Sequence, residues 1–191
     1  MVGLIALGMV MLLSTSSFVT DHADVYYDIR RQVAWLMIGI GACVMMAAVD
    51  YHWWGKTAWW WFGGACLLLV LCFVPAIGER INGSARWISG KSIGMSNIRL
   101  QPSEFAKLAV LFVLARWLTT YRADARTFGR GFLYPLLIAG VPVALIAAEM
   151  DIGSAALVSA MAVLVVFIAG ARIRYVTLAG LMTLGLSLIH I

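Results

Sequence analysis

Seven mostly apolar runs, at about 2–19, 32–50, 57–78, 103–120, 131–149, 154–170 and 175–191, take up most of this chain. Most approach the ~20 residues that a helix needs to cross a bilayer. Lipid offers no partner for open backbone N–H and C=O groups, and no run alternates as a barrel strand does, so helices are expected. Composition points the same way. Of 191 residues, 63% are hydrophobic and 12% charged, and the mean hydropathy is +0.94. A soluble domain is about half apolar and a quarter charged. One soluble core of this length cannot hide so much apolar surface, so the solvent is lipid. The prediction is an all-α, polytopic transmembrane helix bundle. It forms a single membrane domain over 1–191, with a long loop at 79–101. The first run has no basic leader and no small-residue cleavage site before a soluble domain, so it reads as a span and not as a signal peptide.

The net charge of +5 does not call for nucleic acid. The basic residues are spread over loops, with no patch of interleaved aromatics, and anionic lipid headgroups are the expected counterpart. Trp53, Trp54, Trp59, Trp60, Trp61, Trp87 and Trp117 fall near run ends, as an aromatic belt does. Cys43, Cys66 and Cys72 lie inside apolar runs and read as packing. His22, His52 and His190 are too far apart for a metal motif. Asn82-Gly83-Ser84 fits a glycosylation pattern short enough to arise by chance. Charge does not orient the chain. With the N-terminus inside, inner loops hold Lys56, Arg116, Arg122, Arg126, Arg130, Arg172 and Arg174. Outer ones hold Arg30, Arg31, Arg80, Arg86, Lys91, Arg99 and Lys107, so seven stand against seven. The last run stops without a flanking anchor, and truncation there is expected.

Two charged stretches stand out. In Gln101-Pro102-Ser103-Glu104-Phe105-Ala106-Lys107, Pro102 suits a first helical turn, Glu104 meets the positive helix end, and Lys107 shares its face. That describes an ordinary helix start with one ion pair. A second reading is open. Lys107 leads into an unbroken apolar run, where a charge usually faces a bundle interior or a watery cavity. The preceding loop adds Arg80, Arg86, Lys91 and Arg99, a set that suits a phosphate-bearing ligand. The other stretch is Glu149-Met150-Asp151-Ile152-Gly153-Ser154, between two runs with almost no loop. Asp151 there is either a helix cap in a solvated turn or, with Glu149, part of a site facing the basic loop. Both stretches belong to the same membrane face.

At these residues the sequence resembles the SEDS family of polytopic membrane proteins, the family of FtsW, RodA and SpoVE. Matching pieces are Gly8-Met9-Val10-Met11 with Ser14 to Ser17, Arg31-Gln32-Val33-Ala34-Trp35, Asn82-Gly83-Ser84-Ala85-Arg86-Trp87-Ile88, the Gln101–Lys107 block and Glu149–Ser154. Glu149 before the turn is closer to the FtsW branch. The family usually has Pro at the place of Met150 and Thr at that of Ser154, so the turn is expected to be softer here. The resemblance implies further spans and a large outer loop beyond residue 191, with the aspartate considered catalytic in that loop. It also implies a peptidoglycan glycosyltransferase that polymerises lipid II in division or elongation beside a class B penicillin-binding protein. Its place would be the bacterial inner membrane, with the N-terminus cytoplasmic and the long loop outside. Substrate would meet Arg86, Lys91, Gln101, Ser103, Glu104, Lys107 and Asp151. Arg86, Lys107 and Lys91 would take up diphosphate charge, Glu104 would orient Lys107, and Asp151 would shape the cavity or hold a divalent cation, magnesium or manganese. The fragment alone is then expected to be catalytically silent. A lipid II flippase would need the same charges. A membrane scaffold for the penicillin-binding protein would not need Glu104 or Lys107.

Overall fold

The computed structural model describes residues 3, 5, 7–11, 27–74, 78–81, 84–89, 99–175 and 177. They fall in two compact units, Met1–Asp50 and Tyr51–Ile191. In the first unit residues 7–11 are helical, and α1 runs Tyr27–Ala48. Its Ile29–Ala48 stretch is long and apolar enough to cross a membrane. Trp35, Met37, Ile38, Val44 and Met45 stand exposed on it, as a surface made for lipid requires. The helix starts before the predicted run because Asp28, Arg30 and Arg31 belong to its first turns, where polar residues are tolerated.

The second unit opens with α2, Tyr51–Cys72. The stretch from Tyr51 to Lys56, expected as a loop, is helical, and Thr57 Oγ1 donates to the Trp53 carbonyl at 2.9 Å. The helix also stops six residues before the predicted 78. Gly78 sits so close to the end of α2 that any Cβ there would strike the Cys72 carbonyl.

The segment expected as a loop holds a three-stranded antiparallel sheet. Its strands are β1 (Gly78–Ile81), β2 (Ser84–Ser89) and β3 (Arg99–Leu100), paired in the order β1-β2-β3. Glu79 pairs with Trp87, and Ile88 with Leu100. The expected helical bundle holds, and this small sheet is an addition within its long loop. Ser84 to Ser89 places Arg86 and Ile88 on one face by strand alternation, and the short strands use their backbone groups on each other. The sheet leans on α2 and α3.

Helix α3, Pro102–Thr120, packs against α2 and the two helices that follow. Its buried residues Ser103, Ala106, Ala109, Val110, Val113, Leu114 and Leu118 recur every three or four positions and form one continuous stripe. A 3₁₀ turn at Arg122–Asp124 and a π-helical stretch at Gly129–Leu133 lead into α4, Tyr134–Ala148. Gly131 is required there, since a Cβ would strike the Ala125 carbonyl. Helix α5 is Ile152–Ile168. The core joins Leu69 of α2, Val110 and Leu114 of α3, Ile146 of α4 and Val158 and Val166 of α5. Ala65, Ala106, Ala109, Ala139 and Ala162 let the backbones approach, as membrane helices require when no water drives them together.

Three described helical stretches are long and apolar enough to span: Ile29–Ala48, Tyr51–Cys72 and Gly129–Ala148. The apolar α5 is shorter, and α3 carries Glu104, Lys107 and Arg116. Most of the runs expected at 2–19 and 175–191 lies outside the described residues.

Candidate functional site

Four helix termini lie at the sheet end of the second unit: the C-termini of α2 and α4 and the N-termini of α3 and α5. Asp151 is the centre of the site. It caps α5, with Oδ1 accepting from the Ser154 N–H at 3.2 Å. The same oxygen stands 3.8 Å from Arg86 Nη1, brought over from β2. Its other oxygen accepts from Gln101 Nε2 at 3.4 Å. The bland and the functional readings of Asp151 thus both hold: one carboxylate caps a helix and gathers the loop. Asp151 is buried, while Arg86 keeps 38% of its side chain exposed. An arginine held by a buried carboxylate and still partly exposed suits an anionic ligand.

The turn that presents Asp151 is built from the end of α4. The Met150 N–H bonds the Ala147 carbonyl at 3.0 Å, and the Asp151 N–H bonds the Ile146 carbonyl at 3.3 Å. This pair of bonds is a Schellman motif, with Met150 in the left-handed position at φ 64°. Proline could not stand there. Its φ is fixed near −65°, and it has no N–H for Ala147. The expected softening by loss of proline is not the relevant effect; this turn takes a conformation closed to proline and closes it with two hydrogen bonds.

Glu149, one residue earlier, is 2% exposed. It stands at the C-terminus of α4, where the helix dipole is already negative. Burial first, and the Asp151 charge second, push its carboxyl from 4.5 up to about 7, against the hydrogen bond from the Cys72 thiol. Glu149 Oε1 and Ser103 Oγ are buried without a hydrogen-bond partner among the described residues. The sequence offers Glu149 with Asp151 as part of a site, and its link to Cys72 is what the structure adds. The readable signal was a carboxylate on the wrong end of a long apolar helix.

Glu104 and Lys107 form their own pair, Nζ to Oε1 at 2.7 Å. It lies on the flank of α3, with 57% and 22% of the side chains exposed, while Ala106 and Val110 turn inward. Lys107 is therefore mostly covered while its partner Glu104 stays exposed. Lys91 lies outside the described residues. For a divalent cation the donor set is poor. No group of three or more His, Cys, Asp or Glu side chains converges among the described residues, and both Asp151 oxygens already accept from donors. These residues fit an anion better than a metal, and no step below runs through one.

Known proteins resemble this chain in sequence and in fold. The family model of the FtsW/RodA/SpoVE cell cycle proteins matches residues 1–191. The chain is 33% identical over 191 residues to a probable peptidoglycan glycosyltransferase FtsW of Thioalkalivibrio sulfidiphilus, covering 98% of this chain and 46% of that protein. It is 31% identical to stage V sporulation protein E of Bacillus subtilis, over 96% of this chain and 49% of that one. Among solved structures, the rod shape determining protein RodA of Thermus thermophilus matches with a TM-score of 0.70 and 28% identity, over 94% of this chain and 58% of that chain. A chain of a peptidoglycan synthase complex, solved to describe how polymerization and crosslinking are coordinated, matches with a TM-score of 0.68 and 27% identity, over 95% and 52%. The chain spans about half the length of the curated relatives it matches. By a match along its whole length, this multi-span helical membrane chain belongs to the FtsW/RodA/SpoVE family of cell cycle proteins.

Proposed function

We propose that this chain supplies the diphosphate-facing part of a peptidoglycan glycosyltransferase that polymerises lipid II. The observation that carries the reading is the Asp151–Arg86–Gln101 constellation. A β-strand, the residue before a helix and a helix cap, far apart in sequence, converge at one end of a bundle of this family. A glycosyl transfer needs a base for the acceptor hydroxyl and a charge sink for the departing diphosphate. Arg86 and Lys107 are the sink. Asp151 fixes the Arg86 guanidinium, Glu104 fixes the Lys107 ammonium, and Gln101 holds the second Asp151 oxygen. The base comes from outside this stretch of the family's fold.

In the same reading the sheet end faces the outside of the bacterial inner membrane, the N-terminus is cytoplasmic, and a class B penicillin-binding protein is the partner. The test uses the protein carrying this chain, reconstituted with that partner and purified lipid II. Glycan strands resolved on a gel are expected, with an Arg86→Gln variant at least about tenfold slower. Full polymerisation by that variant would overturn the assignment of the sink. Transport of lipid II without polymer would replace the reaction by a flippase.

A further inference from the structure

The end of the second unit away from the sheet handles charge differently. There α2 and α4 begin and α3 and α5 end. Asp50, which immediately precedes α2, and Asp124 are the carboxylates described there, and Arg130 takes Asp124 at 3.0 Å. Lys56, Arg116, Arg122, Arg126 and Arg172 are exposed, and their side chains make no ion pair or hydrogen bond among the described residues. Two contacts gather them. The Arg116 side chain crosses to α2, its Cδ 3.9 Å from where a Cβ on Gly55 would lie, beside Lys56. Phe128 and Phe132 pack on Tyr175, with centroids 5.3 and 5.5 Å apart, and bring the Arg126 segment beside the Arg172 segment. The turn between α3 and α4 is a shaped rim, because Trp117 Nε1 donates to the Arg130 carbonyl at 3.1 Å and Gly131 closes on Ala125. Cations crowded on a rim repel one another, and none of the described carboxylates answers these five.

We propose that this rim binds the headgroups of anionic phospholipids. Depth favours lipid over a dissolved anion or an acidic protein. The rim is girdled by rings that suit a membrane interface, with Trp117 against Tyr121 and Tyr134 at 4.5 and 6.0 Å. Exposed Leu133, Tyr134 and Leu137 continue from it down the flank of α4. The cations thus sit where apolar surface ends and headgroups begin, and each one within reach of an anionic surface favours binding roughly fivefold. This inference does not use the proposed reaction.

The test is native mass spectrometry of the full chain released from nanodiscs of phosphatidylcholine mixed with phosphatidylglycerol. Wild type is expected to retain phosphatidylglycerol preferentially, and added salt to weaken the preference. The triple variant Arg122→Gln, Arg126→Gln, Arg172→Gln is expected to lower the enrichment about tenfold or more. Asp124→Ala releases Arg130 and is expected to raise it, a gain that a misfolded variant would not show. Unchanged enrichment in the triple variant overturns the proposal. So does an absence of lipid preference in wild type, which would point to an acidic protein segment as the counter-anion.

Discussion

The two ends of the helical unit that begins at Tyr51 carry charge in opposite ways. At the sheet end, charges are paired and partly buried, Arg86 with Asp151 and Lys107 with Glu104, and the buried Glu149 carboxyl accepts from the Cys72 thiol. At the far end, five cations stand exposed with no partner among the described residues. Counting basic residues left the two faces tied at seven each. Pairing distinguishes members of the two sets, because Arg86 and Lys107 are paired and a paired cation presents less of its charge to the membrane potential or to anionic lipid. In the proposed reading the sheet end holds charge for a ligand, and the far end offers charge to its surroundings. Variants at the two ends can break that division.

The largest effect belongs to Glu149. Its folded pKa, about 7, lies above its ordinary 4.5. A raised carboxyl stabilises the fold fully below the lower value and loses that contribution as pH rises through the upper one. Stability of the purified chain is therefore expected to fall between pH 4.5 and about 7, by up to about 3 kcal/mol. Glu149→Gln should flatten that slope. A variant with the wild-type pH profile would remove the buried acid from the comparison.

Next is Asp151→Ala, set against Asp124→Ala. The first leaves Arg86 and Gln101 without their acceptor and removes the cap of α5. A lost cap costs about 1 kcal/mol, and loss of the half-exposed Arg86 and Gln101 contacts adds up to about 0.5 kcal/mol, so about 1.5 kcal/mol is expected in thermal unfolding. Asp124 pairs in the open, where Arg130 is 60% exposed, and its loss should cost about 1 kcal/mol or less. Equal losses would mean that the two ends differ less than their geometry does.

Both ends also turn the chain with the same motif. Gly170 leaves α5 at φ 99°, its N–H on Phe167 and the Ala171 N–H on Val166, while Met150 does the same work after α4. Glycine enters the left-handed region freely, and other residues pay about 1 kcal/mol there. Met150→Gly should stabilise the chain by up to about 1 kcal/mol. Gly170→Ala should destabilise it by a similar amount, because a Cβ at Gly170 would meet nothing within 4 Å and only the backbone objects.

How much of this was legible in the sequence follows from which forces act locally. The helices of the second unit were, because each apolar run is long and Pro102 and Asp151 mark two starts by chemistry confined to one turn. The start of α2 was not: Tyr51 to Lys56 is aromatic and polar, a composition that suits a loop or an interfacial helix equally, and packing decides. The sheet was hidden because strands of two to six residues are fixed by pairing with each other and not by their own pattern. The same limit applies to the site. Asp151 and Arg86 were each readable as candidates, and the long loop was readable as facing the Asp151 turn. The hydrogen bond between Cys72 and Glu149 was not, since a cysteine in an apolar run reads as packing until its neighbour is known.

The smallest expected effect on stability decides the question left open by the Glu104–Lys107 pair. It is an (i, i+3) pair with 57% of the Glu104 side chain exposed, so Glu104→Gln should change stability by less than about 0.5 kcal/mol. A helix start with one ion pair would then show nothing more. If Glu104 instead holds the Lys107 ammonium for a diphosphate, the same variant loses orientation at the reacting group, where small displacements are expensive. Glycan synthesis should then fall by about tenfold, with Lys107→Gln lower still and stability unchanged in both. The separation of the two readouts carries the argument. Loss of synthesis with intact stability places the pair with Asp151 and Arg86 as charge held for a ligand. Intact synthesis returns Glu104 and Lys107 to the role of a well-begun helix and leaves Arg86 as the diphosphate contact of the sheet end.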